Sequence, residues 1–170
     1  GFSDAILTAA ALGFLGLGSA LVMLGVRYDS EQGLAFGARV AQTMRDEAYR
    51  ASVDLAVEKG AFPALDAERY LQSGFARRLP DDIRSAVAER GIRNSHLLSI
   101  APTGTIALAF ADNASNGIEP AFAWSYTRRK RMADGSTQEY AVEDHAYRLF
   151  RERGGDAQCL PAAFVSALDM

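Results

Sequence analysis

The segment Leu97-Leu98-Ser99-Ile100-Ala101-Pro102-Thr103-Gly104-Thr105-Ile106 constrains the fold of this chain more than any other stretch. Its first five residues are small or apolar and too few for a helix, which predicts a buried strand. Pro102 then interrupts ladder hydrogen bonding, and Gly104 lets another backbone approach closely. Thr105 to Ala111 reads as a helix whose first turn Thr103 can cap. Such a segment runs a strand through a turn into a helix. It also leaves amide N–H groups pointing one way at the positive end of a helix dipole, a setting that suits a phosphate. The turn alone fits an ordinary capped helix start as well, so its neighbours must decide.

Upstream stands Gly91-Ile92-Arg93-Asn94-Ser95-His96, and one helix downstream stands Asn113-Ala114-Ser115-Asn116-Gly117-Ile118-Glu119-Pro120. The series resembles the substrate-phosphate segment of ribonucleotide reductases, most closely the class II, adenosylcobalamin-dependent enzymes. The resemblance extends through Arg27-Tyr28-Asp29-Ser30-Glu31, Ala48-Tyr49-Arg50-Ala51-Ser52 and Lys59-Gly60-Ala61-Phe62-Pro63. Several blocks in order are far more specific than one glycine turn.

That resemblance implies an α/β fold: part of a ten-stranded α/β barrel of the reductase type, mostly helical, with a buried strand and a β-hairpin. It implies one piece of the catalytic barrel over residues 1–170, cut at both ends, with the remainder of the reductase chain as partner and a cytoplasmic location. Pro102, Thr103, Gly104, Thr105 and Ile106 match the cradle for the phosphates of a ribonucleotide substrate. Asn94, Ser95, Asn116, Gly117 and Glu119 are expected beside that substrate. Ala107 stands where class II sequences commonly have serine, and losing one hydrogen bond to a charged partner costs roughly 1.5–3 kcal/mol. The family's reaction makes 2′-deoxyribonucleotides by passing a cobalamin-derived radical to a cysteine, with a further cysteine pair as reductant. That relay needs at least three thiols, and this sequence has one, Cys159. No catalytic residue is therefore assigned here, and the piece is expected to be inactive alone.

At 170 residues the chain can bury one real core. A net charge of −3 argues against nucleic acid as a partner, since backbone binding needs a clustered basic face. Residues 5–26 carry no charge, a length that could cross a bilayer. The expected reading is a buried helix, because Ala11-Leu12-Gly13-Phe14-Leu15-Gly16-Leu17-Gly18-Ser19 also resembles a Gly-rich block of the family. There Ala11 replaces a glycine and Ser19 an acidic residue.

A helix should begin at Asp29, with Gln32 completing a capping box, and run to Lys59-Gly60. Its expected apolar stripe is Phe36, Val40, Met44, Ala48, Ala51 and Leu55, with Arg39, Arg45, Asp46, Arg50, Asp54 and Glu58 mainly in water. Shorter helices are expected over 66–72, from Pro80-Asp81-Asp82 to Arg90-Gly91, and over 143–153. Phe122, Trp124 and Tyr126 alternate as one face of a strand, and Asp134-Gly135 signals a two-residue hairpin turn. Arg128-Arg129-Lys130-Arg131 then reads as a solvated hairpin edge.

His96 and His145 stand alone, with no second residue at a metal-ligand spacing, so no metal is assigned. No Gly-x-Ser-x-Gly elbow is present. Two readings stand beside the reductase: a non-catalytic nucleotide or phosphate module at Thr103–Ile106, and a protein anchored in a membrane through residues 5–26.

Overall fold

A computed structural model describes residues 9–103, 106 and 117–170. The chain divides into two compact units, one of Gly1–Gly13 with Ala38–Ser99 and one of Phe14–Gly37 with Ile100–Met170.

In the first unit, β1 (Ala9–Leu12) pairs in parallel with β2 (His96–Leu98), Ala9 opposite His96 and Leu12 opposite Leu98. The Ser99 amide donates to the Leu12 carbonyl at 2.9 Å. A Cβ on Gly13 would lie 2.7 Å from the Ser99 carbonyl oxygen, so only glycine lets the strands close here. The strand expected over 97–101 is therefore shorter than the sequence suggested. Leu97 is 6% exposed, whereas Ile100 is 79% exposed and past the ladder.

Helix α1 (Leu17–Met23) belongs to the second unit. Over its described part, residues 9–26, the uncharged run of residues 5–26 is thus not one buried helix. It breaks into a strand, a glycine turn and a short helix, with Gly16 at φ 78° opening α1. No helix among the described residues is long and apolar enough to cross a membrane.

Helix α2 (Glu31–Lys59) is the long helix that was expected, with a different cap. Ser30 Oγ accepts the Gly33 amide at 3.0 Å, while Asp29 is held by Arg27 at 2.8 Å. The buried stripe also runs one position off, through Ala48, Tyr49, Ser52, Val53 and Ala56, and Ala51 is exposed. Helix α3 (Ala67–Leu71) is capped by Asp66, which accepts the Arg69 amide at 3.0 Å. A 3-10 turn, Ala76–Arg78, leads to α4 (Asp81–Arg90), which Pro80 opens and Gly91 closes at φ 76°.

The core of this unit joins Tyr49, Val53, Ala76, Leu79, Ile83, Val87, Ile92 and Leu97. Ile83, Val87 and Ile92 are almost wholly out of water, and each contributes about 1.5–3 kcal/mol. Phe62 donates its amide to Ile92 at 3.0 Å, and Arg93 reaches the carbonyls of Lys59 and Gly60 at 3.3 and 3.2 Å.

In the second unit, β3 (Ser125–Arg131) and β4 (Thr137–Glu143) form an antiparallel hairpin. Phe122 and Trp124 precede the strand instead of lying in it. Trp124 packs edge-on against Phe164, with ring centres 5.0 Å apart. The turn is also longer than two residues. Gly135 donates to the Met132 carbonyl at 3.0 Å, and Met132 to that of Ser136 at 2.8 Å, so Gly135, at φ 84°, closes a three-residue loop. Helix α5 (His145–Glu152) follows, capped by Asp144 Oδ1 on the Ala146 and Tyr147 amides.

Candidate functional site

The residues singled out from the sequence fall into both units. In the first, Asn94 is bound to the helix behind it: its amide donates to Ser52 Oγ at 3.0 Å, and its Oδ1 accepts the Ser52 hydroxyl at 2.8 Å. Ser95 Oγ lies 3.1 Å from His96 Nδ1. With the bonds from Phe62 to Ile92 and from Arg93 to Lys59 and Gly60, the Ser52–Asn94 contacts fasten three of the sequence blocks, 48–52, 59–63 and 91–96, around one core.

In the second unit the loop 117–119 is fixed from two sides. Gly16 and Leu17, at the start of α1, both donate to the Gly117 carbonyl, at 2.7 and 3.2 Å. The Tyr28 hydroxyl donates to the Ile118 carbonyl at 2.9 Å. Gly117 is itself buried, and a Cβ placed on it would stand 2.8 Å from Glu119 Oε2 and 3.2 Å from Thr103 Oγ1. Thr103, Gly117 and Glu119 thus surround a space too small for one methyl group.

Thr103 adopts φ 38°, an uncommon backbone for a β-branched residue. Its Oγ1 is buried and has no hydrogen-bond partner among the described residues. The cap expected from Thr103 is not among its contacts there. Pro102 is exposed, and Ile106 is helical and half exposed. Gly104, Thr105 and Asn116, together with Ala107, the rest of the expected 105–111 helix and the 113–116 loop, lie outside the described residues.

Charge and burial act together at Tyr28. Its phenol is raised above the ordinary tyrosine range, first by burial and then by the negative charge of Glu119. Tyr28 lies in a block already quoted from the sequence, but nothing there assigned it a partner 90 residues away. Ser19 and Asp144 were missed for the same reason: the Ser19 hydroxyl donates to Asp144 Oδ2 at 2.6 Å, and both are buried.

Among the described residues no three His, Cys, Asp or Glu side chains gather as a metal site, and Cys159 is exposed. A groove of about 790 Å³ lies in the first unit, lined in part by Leu71, Gln72, Arg77 and Arg84. It contains none of the residues singled out above.

A sequence model of the family described as "Ribonucleotide reductase, barrel domain" matches residues 7–160. A vitamin B12-dependent ribonucleoside-diphosphate reductase of Mycobacterium tuberculosis is 38% identical over 117 residues, covering 69% of this chain and 14% of that protein. The protein of the same description from Thermoplasma acidophilum is 33% identical over 117 residues, covering 69% of this chain and 13% of its own length. A ribonucleoside-diphosphate reductase subunit alpha from Treponema pallidum is 27% identical over 135 residues, covering 76% of this chain and 16% of that subunit. The chain thus spans about a seventh of the length of the relatives it matches.

Proposed function

Because this chain belongs to the ribonucleotide reductase barrel-domain family, we propose that it forms part of the barrel wall of a vitamin B12-dependent reductase and holds the phosphates of a ribonucleotide substrate. The observation that carries this reading is the convergence of Thr103, Gly117 and Glu119 on one small space, with the Thr103 hydroxyl unspent. A buried hydroxyl without a partner is costly, and rotation of the Thr103 side chain out of this filled space onto a phosphate oxygen would relieve the cost. Glu119 carries the wrong sign to hold a phosphate. Its charge acts instead on the Tyr28 phenol, which it helps to keep protonated.

In a full-length vitamin B12-dependent reductase, adenosylcobalamin would supply the radical chemistry. The residues described here do not fit that group: one exposed thiol cannot form the relay, and no ligand cluster stands near it. No step of the reaction is therefore routed through this chain, which binds and orients substrate and turns nothing over alone. The parallel pairing of β1 and β2, with helices between them in sequence, is the unit from which an α/β barrel wall is built.

Titration of this chain with a nucleoside diphosphate tests the proposal, with Gly117→Ala as comparison. The new methyl displaces the Glu119 carboxylate and crowds Thr103, yet meets no backbone closer than the Ala101 carbonyl oxygen, at 3.8 Å. Binding by the parent chain, weakened about tenfold or more in the variant without loss of folding, is the expected result. Equal affinity in the two, or no binding by either, would overturn it.

A further inference from the structure

The hairpin β3–β4 carries a face that the phosphate site does not use. Cross-strand pairing sets Tyr126 opposite Val142, Arg128 opposite Tyr140 and Lys130 opposite Gln138. Paired residues of an antiparallel ladder share a face. The acids lie on the other side: Glu139 is opposite Arg129 and paired with it at 2.8 Å, and Glu143 is paired with Arg151. The first face therefore holds two cations and no carboxylate. Neither the Arg128 nor the Lys130 side chain has an ion pair or hydrogen bond among the described residues.

Two aromatic rings flank these cations, Tyr126 at 37% and Tyr140 at 40% exposure. The ribbon is exposed on both faces from Ser125 to Ala141, and among the described residues its outer edges are unpaired. A two-stranded ribbon with no cover is only marginally stable in water. We propose that the Tyr126/Arg128/Lys130/Tyr140 face docks an acidic polypeptide segment, its carboxylates meeting the two cations and its apolar side chains lying on the two rings. Charge complementarity selects this partner. The face has two uncompensated positive charges in a chain of net charge −3, too few to follow a nucleic-acid backbone, where binding is built from many phosphate contacts.

The test is binding of a fluorescein-labelled alternating Glu-Tyr peptide to this chain, followed by anisotropy. The double variant R128E/K130E should bind about tenfold more weakly. R129E/R131E makes the same change of charge on the opposite face and should cost about twofold or less. The neutral pair R128Q/K130Q guards against a folding defect and should fall between them. Equal losses from the two faces, tighter binding of oligothymidylate than of the peptide, or self-association of the chain in place of peptide binding would each overturn the proposal.

Discussion

Ser52 and Asn94 satisfy each other twice, the serine hydroxyl donating to the side-chain amide oxygen and accepting the backbone amide of the same residue. The Ser52 carbonyl also takes the Arg93 amide at 3.0 Å. A residue expected beside the substrate is thereby clamped to the middle of α2.

Ser52→Ala should therefore leave Asn94 with an unpaired amide and an unpaired oxygen, at a position 1% exposed. The expected loss is about 1–3 kcal/mol, read by urea denaturation. An unchanged midpoint would show that water replaces the hydroxyl without cost.

Asp144 is fully buried, caps α5 and receives the Ser19 hydroxyl. Ser19→Ala should cost about 1–3 kcal/mol through the orphaned carboxylate oxygen. Ser19→Asp restores the acidic residue usual in the family's block. Here it would set two buried carboxylates in contact and destabilise by roughly 3 kcal/mol or more. Protonating one of the two carboxylates relieves the repulsion, so the stability gap between this variant and the parent should narrow as the pH falls.

Thr103→Gly should remove the strain of φ 38° and raise stability by up to about 1 kcal/mol, while removing the hydroxyl assigned to phosphate. Thermal unfolding and nucleoside diphosphate titration on the same sample should move in opposite directions. A variant that binds as well as the parent would remove Thr103 from the cradle, and one that is less stable would show that φ 38° carries no net strain.

The Tyr28 phenol holds its proton above the ordinary tyrosine range, mainly through burial and secondarily through Glu119. Its folded-state value is raised, so its contribution to stability is full below pH about 10 and is lost as the pH climbs toward that value. Glu119→Gln removes the negative charge and should lower the Tyr28 value while leaving the burial part. Carbon-13 tyrosine NMR would follow it, and an unmoved titration would separate the two groups.

What could be read from the sequence was local. Asp66, Pro80 and Gly91 mark helix ends through their own backbone and side-chain chemistry, and they sit where expected. The cap of α2 moved to Ser30 because Asp29 has a stronger competitor, the Arg27 guanidinium, two residues away. Strand β1 was hidden because alanines carry little strand preference. It exists through pairing with a segment more than 80 residues later. The Gly117 environment could not be read either, since it depends on Gly16, Tyr28 and Thr103, all distant in sequence. The family blocks told which segments mattered without telling which atoms would meet.

The carbonyl of Gly117, held by both Gly16 and Leu17, acts as a rivet between two points a hundred positions apart. All of the chain from 38 to 99 departs and returns between those points, as an excursion with its own core. The electropositive end of α1 is meanwhile spent on this joint, so an incoming anion must find its donors elsewhere.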